Sequence, residues 1–271
     1  MRSIADLFVS YGFGQIMEYS GIKRFAAGFF FLGLTVYPLF VLSQATEEKK
    51  GAWMFGGEAD LNSIYVWRGL AWSDGAVLQP SVWVSRSNFT LSGWGNFVLN
   101  KEPNQGRFNE FDLVISYRGI WKNFEFEPAI QFYIYPNQKG EPTTGEVSVQ
   151  VSYLAGPFVI QTTHYFDVME YGGAYIGEVG LEYHREISSK LSVEGALRFD
   201  WANAKFNGVY ALWEKSAFNG MAVEISLTYY LKDFLYVRPH LEWNHRLDKD
   251  MRRWLAKPTI ANFGFAVGME Y

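Results

Sequence analysis

Phe263-Gly-Phe-Ala-Val-Gly-Met-Glu-Tyr271 closes the sequence, and in it Phe263, Phe265, Val267, Met269 and Tyr271 occupy every second position. Successive side chains of a strand point to opposite faces. The stretch therefore reads as a strand with one unbroken apolar face and a second face of Asn262, Gly264, Ala266, Gly268 and Glu270. Chain ends fray unless something ties them down. An apolar strand ending on an aromatic residue is thus expected to close a sheet.

That ending resembles the terminal signature of bacterial outer-membrane barrels, whose assembly machinery reads a final aromatic strand. The resemblance marks Phe263, Phe265, Val267, Met269 and Tyr271 as an assembly signal and that machinery as a partner during biogenesis. Upstream, apolar residues alternate through 53–61, 78–84, 89–99, 111–117, 124–134, 147–153, 158–166, 175–183, 191–201, 221–229 and 235–243, so about 12 strands are expected. Connections near 86–88, 118–123, 155–157, 184–190 and 231–233 are short. Those near 68–77, 100–109, 136–145, 167–173, 202–219 and 246–258 are longer and more polar. Alternating short and long connections put all turns on one rim and all loops on the other. The expected fold is all-β, a transmembrane up-and-down antiparallel β-barrel over 46–271 with both mature termini periplasmic.

The opposite parity carries the charges. Glu58, Asp60, Glu110, Asp112, Glu125, Glu127, Glu178, Glu182, Glu194, Arg198, Glu224, Arg238, His240 and Glu242 lie on the face away from the apolar set. A charge facing lipid at mid-depth costs about 2–4 kcal/mol, so these side chains are expected to face a polar interior as pore-lining residues. A β-sandwich would turn the same face to bulk water. The terminal aromatic, the alternating rims and the export signal favour the barrel, whose closure removes strand edges that lipid cannot satisfy.

Composition narrows the classes further. The 271 residues include no cysteine and carry a formal net charge of −4, which leaves no disulfide framework or thiolate chemistry and no basic footprint for nucleic acid. Aromatic residues make up 18% of the chain, an excess suited to the girdles of a membrane interface. Lys23 and Arg24 precede an apolar run from Phe25 to Leu42, and Ser43-Gln44-Ala45 supplies small residues for a signal peptidase. Residues 1–45 are read as an export signal cleaved after Ala45, with Met17 as an alternative start. A retained anchor is the competing reading, since roughly 18 apolar residues can span a bilayer, but Pro38 and the small-residue site favour cleavage.

Tyr65-Val-Trp-Arg-Gly-Leu-Ala-Trp-Ser-Asp74, followed by Leu78-Gln-Pro-Ser81, resembles the first hairpin of the TorF-like porin family, the Gcw_chp-type outer-membrane proteins. Phe126-Glu-Pro-Ala-Ile-Gln-Phe-Tyr-Ile-Tyr-Pro136 is similar to that family's central strand with its aromatic-Pro corner, and the likeness extends in pattern over 51–271. Trp72 departs from it, standing where a polar residue is expected. The resemblance implies an exported outer-membrane barrel in contact with outer-membrane lipids, and says little about chemistry.

No residue set is assigned as catalytic or metal-binding, and no cofactor is expected. A lipid-hydrolysing barrel places His and Ser two residues apart on one strand, and none of His164, His184, His240 and His245 is followed by that pattern. A serine nucleophile needs a base within hydrogen-bond reach, and no such pair stands out. Carboxylate pairs such as Glu110 with Asp112 or Glu125 with Glu127 suit hard cations, yet they recur along many strands as a wall lining would. Arg68 is expected in a structural ion pair with a loop carboxylate. Trp94, Tyr133, Tyr135, Tyr230 and Tyr236 share the inward parity, whereas Phe97, Trp201, Tyr229 and Trp243 face outward; His164 is left unassigned. Pro80, Pro128 and Pro239 should mark bulges or strand ends. Phe206, Val209, Tyr210 and Trp213 share one helical face in a loop that caps the bore, enters it or packs on the outer rim.

A bore built from 8 strands is just filled by side chains and one from 16 holds water. About twelve strands predicts a narrow passive channel for small hydrophilic solutes, with fixed negative charge favouring cations. The alternative is a closed structural or adhesion barrel whose extracellular loops bind a partner, and a third reading is an outer-membrane lipid-modifying enzyme. The sequence leaves the oligomeric state open.

Overall fold

The computed structural model describes residues 51–101 and 103–271; the export signal and cleavage site expected in residues 1–45 lie outside the described residues. β1 (Trp53–Asn62) leads through a small hairpin, β2 (Val66–Trp67) and β3 (Leu70–Ala71), into β4 (Val77–Arg86) and β5 (Phe89–Val98). β6 (Phe108–Tyr117), β7 (Gly119–Trp121), β8 (Phe124–Ile134), β9 (Thr144–Ala155), β10 (Phe158–Asp167), β11 (Tyr175–Ser188) and β12 (Leu191–Ala202) follow. Helix α1 (Ala204–Ala211) precedes β13 (Ala217–Lys232) and β14 (Leu235–Arg246), and helix α2 (Lys249–Trp254) precedes β15 (Thr259–Glu270).

Wall strands pair with their neighbours in the chain, and β1 closes the circle against β15. β7 continues β6 along the same partner: Ser116 faces Ala129 and Gly119 faces Phe126 of β8 without a change of register. Counted as one, β6 and β7 complete a closed 12-strand antiparallel barrel. All the expected strands are present, most of them longer than the alternation indicated. The closing seam includes the final residue, whose N–H donates to the Phe55 carbonyl at 2.8 Å while its own carbonyl accepts from Phe55 at 3.0 Å.

Short turns and long loops fall on opposite rims as expected, and the short-turn rim also carries both ends of the wall. The three mid-strand prolines behave differently from expectation. No register shift accompanies any of them. Each instead leaves a gap in one of its two ladders: Pro80 toward β5, Pro128 opposite the break between β6 and β7, and Pro239 toward β13. The other ladder continues through Ala59↔Pro80, Pro128↔Val149 and Pro239↔Phe265. A strand residue directs its N–H toward one neighbour only, so the missing donor of proline interrupts one side and no bulge is needed.

The two faces are inverted relative to a soluble protein. Phe263, Phe265, Val267, Met269 and Tyr271 are all exposed on the outer surface, together with Val82, Leu113, Ile130, Ile160, Leu181, Ile225 and Leu241 on the other strands. An apolar exterior this continuous around a charged interior belongs in hydrocarbon. The chain is a transmembrane β-barrel of the outer-membrane type.

Candidate functional site: a polar bore with an inserted hairpin

The two-residue period that makes the outside apolar puts every predicted lining residue inside. Glu58, Asp60, Glu110, Asp112, Glu125, Glu178, Glu182, Glu194, Arg198, Glu224, Arg238, His240 and Glu242 are buried on the inner face, and Glu127 is half-buried there. Many are paired across strands. Arg238 donates to Glu58 at 2.6 Å, and the Tyr236 hydroxyl donates to the other oxygen of that carboxylate at 2.9 Å. Arg198 donates to Glu224 at 2.9 Å, His240 sits 3.1 Å from Asp60, and His184 sits 3.2 Å from Glu194. Arg118 holds Glu125 near the short-turn rim. Among the described residues no Lys, Arg or His nitrogen forms an ion pair with Glu110, Asp112, Glu178, Glu182 or Glu242.

Acids outnumber arginines on this wall, and the bore between them is filled by side chains. A cavity of about 20 Å³ lies among Asp60, Asn62, Gln79, His240, Glu242 and Asn262, room for about one water. At the short-turn end Trp83, Tyr230 and Tyr236 pack against Met54. Gly268 makes this possible, because a Cβ there would overlap the Tyr236 ring.

At the long-loop end the occupant comes from the connection between β1 and β4. Residues 65–72, expected in part as a polar outer loop, turn inward with Tyr65, Val66, Trp67 and Leu70 buried. Arg68 and Gly69 form the two-residue turn, both with positive φ (49° and 63°), the backbone of a tight hairpin turn. Arg68 reaches the opposite wall, where Nη1 donates to Glu146 Oε1 at 2.7 Å and Nη2 to Oε2 at 2.5 Å. Burial alone would lower the Arg68 pKa, but the adjacent Glu146 carboxylate reverses the shift and keeps the guanidinium charged. The expected ion pair is present, with a strand carboxylate as the partner in place of a loop one.

The loop after β12 completes the insertion. Asn203 caps α1 by accepting from the Phe206 N–H at 2.9 Å, which fixes the helix start. Phe206 then stacks on Trp67 with ring centroids 6.0 Å apart, and Tyr210 meets the Trp67 edge at 4.8 Å. Of the placements open for this loop, packing on the outer rim is set aside, because Phe206 is buried in the interior aromatic cluster. Met251 of α2 is fully buried against Leu70 and Ala211, covering the hairpin from above.

Trp94, Tyr133, Tyr230 and Tyr236 are buried inside as expected, with Tyr135 packed at the edge of the aromatic cluster. Tyr229 and Trp243 face outward, and Phe97 and Trp201 are half-buried there. His164 takes an outward position, 3.0 Å from the Tyr175 hydroxyl. Sequence reading missed Glu146, Asp167, Asp200 and Arg246, all buried on the inner face. For Glu146 and Arg246 the signal was parity extended past the assumed strand ends, Glu146 continuing Gln150 and Ser148 and Arg246 continuing Glu242 and Asn244, whereas Asp200 lay within the expected strand on the parity of Glu194 and Arg198. Among the described residues no group of three or more His, Cys, Asp or Glu is arranged to hold a metal ion.

No family model matches the chain, and no curated protein matches it. Solved structures that are similar to it are outer-membrane porins and channels. The NanC porin shares 11% identity, with 81% of this chain and 99% of that one covered and a TM-score of 0.47. The KdgM porin in complex with disordered oligogalacturonate shares 10%, covering 80% and 98%, at a TM-score of 0.45. The COG4313 outer membrane channel from Pseudomonas putida F1 shares 9%, covering 84% and 100%, at 0.46. At these identities and TM-scores the similarity assigns no solute to this chain.

Proposed function

We propose that the protein is an outer-membrane channel for small hydrophilic solutes, selective for cations, and that the described conformation is its plugged state. One observation carries the reading: buried, mostly acidic side chains run through the interior from one rim to the other. Removing a charge from water costs several kcal/mol even after relaxation. A wall meant only to stay closed would be filled at lower cost by apolar side chains, whereas a wall that is hydrated when the plug withdraws has a use for Glu110, Asp112, Glu178, Glu182 and Glu242. Fixed negative charge on a confined surface favours cations. The likeness of 65–74 and 126–136 to TorF-like porins points the same way, as does the export signal read in residues 1–45. With that orientation the short-turn rim and both mature termini are periplasmic, and Phe263 to Tyr271 serve the assembly machinery.

The filled bore favours one second reading, a permanently closed barrel whose long loops bind a partner. Reversal potentials in planar bilayers under a potassium chloride gradient separate the two. The channel reading expects a shift toward the potassium equilibrium potential. A silent barrel, both as purified and with 202–219 deleted, supports the closed alternative, and anion preference contradicts the role given to the acidic wall.

A further inference from the structure

We infer that the pocket holding the Arg68 head group is a binding site for guanidinium-type organic cations, which the inserted hairpin fills with its own side chain. The inference rests on the channel reading and adds a ligand class to the same bore.

Three observations converge on it. First, Glu146 engages the guanidinium through two parallel hydrogen bonds of 2.7 and 2.5 Å. That fork geometry matches a planar guanidinium and not a compact ammonium. The carboxylate is itself fixed by the Tyr133 hydroxyl, which donates to Oε2 at 2.8 Å. Second, aromatic faces surround the cation: the Arg68 Cζ lies 4.5 Å from the Trp67 and Tyr165 ring centroids and 5.3 Å from that of Phe206. Such faces attract a cation through the ring quadrupole. Only Trp67 belongs to the hairpin. Tyr133, Glu146 and Tyr165 sit on the adjacent wall strands β8, β9 and β10, so the carboxylate, the hydroxyl that fixes it and one of the three aromatic faces belong to the wall and stay in place when the hairpin leaves.

Third, arginine is a poor local choice for the turn it occupies. With φ at 49° the residue is left-handed, which costs a side-chain-bearing residue roughly 1–2 kcal/mol, and Asn or Gly would form the same turn more easily. What Arg68 supplies is its head group, delivered to a ready carboxylate. The Asp112 carboxyl stands beside this pocket, directly opposite Tyr133 in the β6–β8 ladder, with Glu110 two residues before it on the same inner face.

The test is titration of refolded Arg68→Ala protein in detergent micelles with methylguanidinium chloride, followed by tryptophan fluorescence and calorimetry. Sodium and tetramethylammonium chlorides at equal ionic strength serve as controls, and Arg68→Met, which keeps the aliphatic stem, runs alongside in case the alanine variant does not fold. Saturable binding is expected in the Arg68 variant, at least tenfold tighter than in wild type, where the site is filled, and at least tenfold tighter than in Arg68→Met/Glu146→Gln. Equal titration by all three cations, no saturation in a folded Arg68 variant, or indifference to Glu146→Gln overturns the inference. Because the readout is binding, a folded variant that titrates yet passes no current separates failure of the channel reading from failure of this one.

Discussion

The Nη2 atom of Arg246 on β14 lies 3.0 Å from the backbone oxygen of Arg68, whose own guanidinium is anchored to Glu146 on β9. Four wall strands separate β14 from β9 on the shorter way round. The hairpin tip is therefore a strut pinned from two distant parts of the wall, and Arg246 is itself steadied by Asp200 at 3.6 Å. Buried ion pairs contribute little net stability against a well-packed apolar filling, so the strut's value lies in fixing where the hairpin sits.

Gly69 is the joint of that strut. A Cβ at this position would overlap the Arg246 guanidinium, and φ is positive. Gly69→Val should expel the hairpin while leaving the wall intact. Expected are heat-modifiable gel mobility like wild type together with a larger conductance; wild-type conductance would show that the hairpin does not obstruct the path.

Arg238 and Glu58 are both fully buried at the side-chain level. Arg238→Met leaves Glu58 uncompensated and should cost about 3–5 kcal/mol in urea unfolding followed by tryptophan fluorescence. Adding Glu58→Gln should restore more than half of the loss. If the double variant is no more stable than the single one, the pair is not the source of the penalty.

Two glycine-to-alanine changes should diverge. Gly268→Ala pushes into the buried Tyr236 ring beside the closing seam, whereas Gly195→Ala meets only the Glu224 carbonyl at 3.8 Å. The first should yield little heat-modifiable protein. The second should match wild type or gain a few tenths of a kcal/mol up to about 1 from reduced chain freedom.

Ile225 stands exposed near the middle of β13 on the outer face. Ile225→Lys should lower stability in lipid vesicles by about 2–4 kcal/mol. A change under about 0.5 kcal/mol, the size usual for a surface substitution in water, would place this face in contact with water.

The wall was legible in the sequence because one period governs it: an alternation that sets Phe265 outside also sets Ala266 inside, and closure follows once every strand obeys it. Glu146 and Arg246 escaped because charge near a strand end looks like loop. The hairpin escaped for a different reason. Its two-residue strands hold too few residues for a period, and Trp67 and Leu70 are buried by partners on α1 and α2 far along the chain. The helical spacing of Phe206 and Tyr210 could be read, but what it packs against could not. Mid-strand prolines misled because a missing donor was equated with a bulge, while a ladder has two sides and proline empties only one.

Single-channel recording of wild type beside Arg68→Ala tests the central claim most directly. If a plug pinned by Arg68 closes a polar bore, the variant opens to a larger, cation-selective step while wild type stays closed or opens rarely. Equal silence from both folded proteins, with the hairpin released, would contradict the account.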